Sequence, residues 1–458
     1  MSNIQEVLRT AKKIHFIGIG GSGMCPLAEI LHAKGYSLQG SDNNESSIVD
    51  RIRALGIPVM MGQRAENIEG ADMIVYSAAI MESNPELKAA KASGIPTFQR
   101  AELFGEITRH FDNCIGICGT HGKTTTTSMT VQAMMTAGLD PSAVIGGKLP
   151  LTDSYGRVGT GDTIVCEACE YVDTFLHLFP NVSVILNIDE DHMEYFKTMD
   201  NLILSFHKFA ALAKSAVIYN GDDENTLKAI EGIEGKALIS FGFGEGNNYR
   251  AENFEDIGGA FTKFDVVYNG KLLGNISLGV PGRHNVLNAL AAVASAMYSG
   301  AEFDGAKQGI EQFRGAGRRF ERLGTYKGID FIDDYAHHPA ELRVTLEAAM
   351  KLGYKNVWAV FQPFTYSRTA MHFDEFVDVL KIPDKCVLTE IMGSREVNTY
   401  DVYSSQLSEK IPGCVWFNTQ EEVADYVIAH AQPGDLILTM GCGDIYKSAH
   451  MMINKLKD

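Results

Sequence analysis

The chain repeats one hydrophobic rhythm three times. Short apolar runs alternate with longer stretches whose apolar residues recur at helical spacing. In the first hundred residues the runs are IHFIGIG, YSLQGSD, PVMMG, ADMIVYSAAI and IPTFQ, and PLAEILHAKG, IVDRIRALG and NPELKAAKASG lie between them. Gly35 and Gly56 close the first two helical stretches, as a glycine cap does. Strand, helix, strand at this spacing predicts a parallel sheet with covering helices. The rhythm resumes with NCIGICG and the helical TTTSMTVQAMMTAG, then TIVCEAC, VSVILNI, SAVIYNGDD and KALISFGFG. FTKFDVVYNGKLLGNISLGVPG alternates and turns at Asn269-Gly270, a hairpin signal, before the strong helix HNVLNALAAVASAMYSG. A last alternation runs through IDFIDDYAHHP, ELRVTLEAAMKLG, NVWAVFQP, FDEFVDVL, KCVLTEI and DLILTMGCGD. The expectation is three α/β domains, 1–108, 109–314 and 315–458, the middle one with a small antiparallel insertion.

Composition narrows the function classes. Apolar residues make up 45% and charged residues 21%, as in an ordinary globular protein, and the 458 residues suffice for a core in each domain. The net charge is −17 with no basic run, which argues against a nucleic-acid partner. No stretch approaches eighteen apolar residues, so no membrane span is expected. Eight scattered cysteines fit reduced thiols and a cytoplasmic location. Cys166 and Cys169 form a single C-x-x-C without the second ligand pair of a zinc site.

Two glycine loops carry the candidate chemistry. IHFIGIGGSGM is a strand running into Gly18, Gly20 and Gly23, with Asp42 about twenty positions later. That is the fingerprint of a turn that lets a pyrophosphate approach a helix N-terminus, and by itself it suggests a nicotinamide or flavin dinucleotide. The second loop, GTHGKTTTT, follows the strand CIGIC. Its backbone N–H groups can wrap a polyphosphate, Lys123 adds a point charge and Thr124 a hydroxyl for Mg²⁺. The spacing is shorter than the usual G-x-x-x-x-G-K-[ST], because position 117 is Ile.

Other polar residues sit at the ends of expected strands. Glu167 closes IVCE, and His192 follows VILNI in NIDEDH. Glu167 offers a hard oxygen suited to Mg²⁺, whereas His192 alone reads as a surface residue. His284, Asn285 and Asn288 begin a helix, where they serve either as ordinary caps or as partners for an adenine edge. GAGRRFER holds Arg318 and Arg319, DDYAHHP holds Asp333, Asp334, Tyr335 and His337, and FQPFTYSRT ends in Arg368. Three such clusters at strand ends of one region point to a site.

Taken in order, GIGGSGM, GTHGKTTT, EACE, NIDEDHMEYF, HNVLNALAA, GRRFE, DDYAHHPAE and FQPFTYSRT resemble the Mur ligases, the ATP-dependent amide-forming enzymes of peptidoglycan precursor synthesis. The resemblance runs over the whole chain. It implies a Rossmann-like domain for the UDP end of a nucleotide sugar, a central P-loop ATPase domain, and a Rossmann-like C-terminal domain closing over both. Within the family, GIGGSGM, DYAHHP and FQPFTYSRT resemble the members that join L-alanine to the lactyl carboxylate of UDP-N-acetylmuramate.

By that resemblance Gly20, Gly21, Ser22, Gly23, Met24, Ser41, Asp42 and Ser77 contact the UDP-sugar. Gly119, Thr120, His121, Gly122, Lys123, Thr124 and Thr125 hold ATP, with Asn285 and Asn288 on the adenine side and Arg319, Asp333 and Asp334 brought in by the last domain. Thr124, Glu167 and His192 ligate Mg²⁺. Tyr335, His337 and Arg368 lie by the amino acid and the muramyl carboxylate, and Lys123, Glu167, His192, Arg319 and His337 form the catalytic set. Two positions depart from the family pattern: Phe364 and Thr365 stand where many relatives have His after FQP, and Cys169 stands where relatives often have an acid.

The chemistry implied is phosphorylation of the carboxylate by ATP and attack of the alanine amine on the acyl phosphate, with catalysis mainly by positioning and charge neutralisation. Three rival readings make different predictions. A nicotinamide oxidoreductase would bind NAD, a non-catalytic nucleotide-sugar regulator would bind without releasing phosphate, and a tripeptide ligase of cell-wall recycling would differ in its acceptor.

Overall fold

The computed structural model describes residues 3–149, 151–152, 154–256, 262–394 and 396–457. They form a three-domain α/β fold on three sheets. The first sheet contains β1 (Lys13–Ile17), β2 (Ser37–Asp42), β3 (Val59–Met61), β4 (Met73–Tyr76) and β5 (Thr97–Gln99), in the order β3-β2-β1-β4-β5. All its pairings are parallel, with β1 between β2 and β4. The order reverses at β1, so the loop after β1 lies at the switch point where such sheets take ligands.

The second sheet has ten strands: β6 (Asn113–Cys118), β7 (Ser142–Leu149), β8 (Ser154–Arg157), β9 (Thr163–Glu167), β10 (Val182–Ile185), β11 (Ala216–Asn220), β12 (Ala237–Gly242), β13 (Tyr249–Asp256), β14 (Thr262–Tyr268) and β15 (Lys271–Leu278). β6 lies between β9 and β10 and pairs parallel with both. Their carboxyl ends, which carry Gly119, Glu167 and the 186–192 segment, therefore open toward one edge of the sheet. The turn between β14 and β15 has Asn269 at φ +47° and Gly270 at φ +78°, the two positive values of a type I′ hairpin turn.

The third sheet contains β16 (Glu321–Tyr326), β17 (Ile329–Asp334), β18 (Val357–Phe361), β19 (Lys385–Thr389), β20 (Val415–Phe417) and β21 (Leu436–Met440), in the order β16-β17-β21-β18-β19-β20. Only the β16–β17 pairing is antiparallel. β18 shows why its sequence, VWAVF, is continuously apolar. Val357, Ala359 and Phe361 enter one core with Leu342 and Phe376, while Trp358 and Val360 enter another with Ile437 and Ile453. A strand covered on both faces has no polar side to show.

The chain divides into two compact units. One is Met1–Phe254, Lys263–Leu278 and His284–Phe313, and it holds the first two sheets but for the ends of β13 and β14; the other, with Arg314–Asp458, holds the third. Within the first unit one hydrophobic core runs from Phe16, Leu27 and Val75 to Phe175, Phe206 and Phe209. Helix Cys25–Ala33 packs on β8 closely enough that a Cβ on Gly156 would lie 2.5 Å from Pro26 Cβ. This packing places the first glycine loop beside the second sheet. Among the described residues, no helix is long and apolar enough to cross a membrane.

Candidate active site

The first loop is built from backbone bonds into β2. Gly18 N–H and Ile19 N–H donate to Ser41 O at 2.9 and 3.0 Å, and Gly20 N–H donates to Asp42 Oδ2 at 2.9 Å. Gly20 has no room for a side chain: a Cβ there would sit 2.7 Å from Val49 Cγ2 and 2.8 Å from Asp42 Oδ2. Asp42 thus shapes the turn directly. Ser41 does so only through its carbonyl, because its buried hydroxyl donates to Glu86 Oε2 at 2.7 Å, and Glu86 Oε1 meets His15 Nε2 at 2.5 Å. Strand parity turns the Ser41 side chain to the opposite face of β2 from that of Asp42.

The second loop joins β6 to helix Lys123–Thr136. Gly119 has φ +148° and Gly122 φ +85°, and a Cβ on Gly122 would lie 2.5 Å from Asn288 Oδ1. Asn187 holds the loop from outside. Its carbonyl accepts from Thr120 N–H at 3.0 Å and its Oδ1 from His121 N–H at 2.8 Å. Those two N–H groups are therefore engaged within the protein. The N–H groups at the start of the helix, from Gly122 to Thr125, are those that lack intrahelical partners by the geometry of a helix.

Lys123 folds back over its own loop. Its Nζ donates to Gly119 O at 2.6 Å, Thr120 O at 3.0 Å and Glu170 Oε1 at 2.9 Å. Burial pulls its pKa down, but the carboxylate of Glu170, with Cys169 and Glu167 nearby, outweighs burial and keeps it above the ordinary lysine range. Thr124 Oγ1 donates to Glu167 Oε1 at 3.0 Å, and Gly146 N–H donates to Glu167 Oε2 at 2.7 Å. A Cβ on Gly146 would overlap that carboxylate, so a larger residue there would displace it.

His192 stands at φ +55°, with Nε2 3.6 Å from Asp191 Oδ2 and its ring 4.5 Å from that of Tyr171. Ligand atoms of Glu170, Asp191 and His192 lie within 4.8 Å of one another. Glu170 Oε2 is buried without a hydrogen-bond partner among the described residues. Asn285 and Asn288 are buried, and Asn288 Nδ2 donates to Asn285 Oδ1 at 3.0 Å. Burial first, and His121 second, bring the neighbouring His284 down to about 4, so it is neutral at physiological pH.

The first loop opens into a cavity of about 400 Å³. Gly21, Ser22, Gly23, Met24 and Ser77 line it from the first sheet, and Gly146, Glu167 and Cys169 from the second. The cavity thus connects the first loop to the carboxylate that Thr124 of the second loop contacts.

The other unit gathers its own cluster. Arg318, at φ +60°, is bound within the fold: Nε donates to Asp333 Oδ2 at 2.9 Å and Nη1 to Gly443 O at 2.9 Å. Asp333 is raised by burial, against the pull of Arg318. Arg319 lies over the Tyr335 ring at 4.8 Å. Asp334 accepts from Phe320 N–H at 2.6 Å and Ala336 N–H at 2.8 Å, and burial lifts its pKa to about 6 against the pull of Arg319. The Tyr335 and His337 rings are 5.6 Å apart, and His337 Nδ1 lies 3.2 Å from Glu341 Oε2. Arg368, on helix Tyr366–Met371, acts electrostatically on Cys442, whose thiol burial pushes up to about 12.

Three sequence profiles match in succession. Residues 13–112 match one described as the Mur ligase family catalytic domain, 117–296 the Mur ligase middle domain, and 318–443 the Mur ligase glutamate ligase domain. The chain belongs to the Mur ligase family. This Mur ligase is 41% identical over 449 residues to a UDP-N-acetylmuramate–L-alanine ligase of Acetivibrio thermocellus, covering 96% of each chain. It is 42% identical to one of Agathobacter rectalis, covering 96% of this chain and 98% of the other. Its structure matches that of UDP-N-acetylmuramate-alanine ligase from Thermotoga maritima with a TM-score of 0.84 at 27% identity, covering 97% and 99%.

Glu170 lies shortly beyond β9, Asn187 shortly beyond β10 and Arg100 directly after β5, and a place beyond a strand end is the one signal that marks them in the sequence. Cys442 carries no such signal, because DLILTMGCGD reads as an ordinary strand and turn.

Proposed function

We propose that this Mur ligase joins L-alanine to the lactyl carboxylate of UDP-N-acetylmuramate through an acyl phosphate, giving ADP and phosphate, in cytoplasmic peptidoglycan precursor synthesis. One observation carries the reading: the glycine loop at Gly21–Met24 and Glu167, the partner of Thr124, line one cavity. A substrate anchored by its pyrophosphate at the first loop can extend its far carboxylate toward the second. The relatives named above, about 40% identical over nearly their whole length, support the choice of substrates. In this reading 1–108 binds the sugar nucleotide, 109–314 binds ATP, and 315–458 serves ATP and the amino acid.

The side chains take distinct parts. Backbone N–H groups from Gly122 to Thr125 and the Lys123 ammonium receive the ATP phosphates, and the helix start adds its favourable dipole. Asn285 and Asn288 serve the adenine side. Thr124, Glu167 and His192 would hold Mg²⁺, with Glu170 as a further oxygen donor. The buried, unpaired Glu170 oxygen and the Glu170–Asp191–His192 grouping fit such an ion. Bound there, Mg²⁺ supplies charge neutralisation for the transferring phosphoryl group.

Carboxylate oxygen is a poor leaving group, so it must leave as phosphate. Lys123 offsets charge as the phosphoryl group moves to the carboxylate. Arg319 is assigned the same task. The alanine amine attacks as the free base, and His337 takes the proton that the new amide sheds. Tyr335 and Arg368 orient the amino acid. The test is phosphate release with ATP, Mg²⁺ and UDP-N-acetylmuramate, comparing L-alanine, glycine, L-serine and tripeptide acceptors. Release strongest with L-alanine supports the assignment; release only with tripeptide assigns the recycling reaction, and release with none refutes ligation.

A further inference from the structure

Arg100 stands on an anchored helix, and among the described residues its guanidinium has no hydrogen-bonding partner. It is the first residue of helix Arg100–Arg109, which is capped by Gln99 N–H donating to Glu102 Oε2 at 2.7 Å. The helix is pinned further along, because Gly105 approaches the His177 carbonyl so closely that any Cβ would collide with it. The Arg100 side chain lines the cavity shared by Gly21–Met24 and Glu167. Its guanidinium lies against the first loop: a Cβ on Gly23 would be 3.2 Å from Nη1 and 3.4 Å from Cζ.

Among the described residues this guanidinium makes no hydrogen bond and no ion pair. Burial draws its pKa below the usual arginine value, and Glu167 and Cys169 act on it only through space. A guanidinium withdrawn from water without a partner is a cost to the fold. Its planar fork of donors matches phosphate oxygens better than any other side chain does. In a chain of net charge −17, a bound anion needs such a local cation.

We propose that Arg100 is the side chain that recognises the diphosphate of the sugar nucleotide, completing the site that the Gly20–Met24 loop forms with backbone groups alone. The proposal rests on the reading that this loop binds UDP-N-acetylmuramate. The contact with Gly23 selects the diphosphate over the distant carboxylate. It also gives Gly23 a second purpose, since any larger residue would push the guanidinium away.

The test compares the affinities of UDP, UMP and uridine for wild type and for Arg100→Gln by calorimetry, with melting temperature measured alongside. Wild type is expected to bind UDP at least tenfold more tightly than UMP. Arg100→Gln should lose about 10- to 100-fold in UDP affinity, collapsing that ratio while leaving uridine affinity in place. The unliganded variant should melt at or above the wild-type temperature, and UDP should no longer raise it. Wild-type binding of UDP with an unchanged UDP-to-UMP ratio in Arg100→Gln overturns the role of Arg100 alone. A lower melting temperature of unliganded Arg100→Gln assigns the residue to the fold and also overturns it. Failure of wild type to bind UDP at all removes the reading of the first loop, and the proposal with it.

Discussion

Lys123 and Glu170 form a buried ion pair, with Nζ 2.9 Å from Oε1 and side chains 15% and 2% exposed. The pair sits where a polyphosphate would meet the loop, so Glu170 holds the lysine charged and aimed. Lys123→Ala is expected to cost about 3 kcal/mol or more of transition-state stabilisation, read as at least a 100-fold loss in the rate of phosphate release. Near-normal turnover would remove Lys123 from catalysis.

The same pair has a stability signature. Removing one partner of a buried pair leaves an uncompensated charge, typically at a cost of about 3–5 kcal/mol. Lys123→Met should therefore destabilise the unliganded protein more than Lys123→Met with Glu170→Gln. Denaturant unfolding of both variants checks this, and equal losses would show that the two residues are not coupled.

Gly122→Ala is expected to weaken ADP binding at least tenfold. Alanine at φ +85° costs about 1–2 kcal/mol, and its Cβ would press on Asn288 Oδ1. Gly138 is the control: it has φ +84°, but a Cβ there meets nothing within 4 Å. Gly138→Ala should carry the strain without the loss of affinity, as calorimetric ADP titration of both variants would show.

Asp334 gives a pH dependence of defined sign. Its folded pKa is raised, by burial, from the ordinary value of 3.8 to about 6. The folded state thus holds a proton that the unfolded state has released, and this contribution, full below about pH 4, is lost as pH rises to about 6. The amount is about 2–3 kcal/mol. Asp334→Asn should flatten the stability difference between pH 4 and 6, measured by urea unfolding across that range. An unchanged slope would mean that Asp334 is ionised throughout.

His337→Ala is expected to slow amide formation about 100-fold or more, because the proton leaving the amine then has no acceptor. An unchanged rate of amide formation in single-turnover assays would assign the base elsewhere.

How much of this was legible in the sequence depends on whether backbone or side-chain geometry carried the signal. VWAVF announced a strand buried on both faces, and Asn269-Gly270 announced its turn, because local propensity and tertiary environment agree there. The two glycine loops were equally legible, since Gly20, Gly119 and Gly122 occupy positions where a Cβ would collide. The inward turn of Ser41 followed from strand parity, but its buried partner Glu86 lies 45 positions away. Asn187 was invisible as a brace because it acts across strands that sequence does not pair. Glu170 had little signal beyond its place just past a strand end, because its partner Lys123 lies 47 positions away. The grouping of Arg319, Asp334, Tyr335 and His337 near β17 was expected from their place beyond one strand, whereas the locking of Arg318 by Gly443 depends on a segment 125 positions away.

The central claim is that ATP activates the lactyl carboxylate and that phosphate leaves with one of its oxygens. The most direct measurement is turnover of UDP-N-acetylmuramate labelled with ¹⁸O in that carboxylate, with ATP, Mg²⁺ and L-alanine, and mass analysis of the released phosphate. One ¹⁸O per phosphate formed is expected. Unlabelled phosphate accompanying amide product would contradict it.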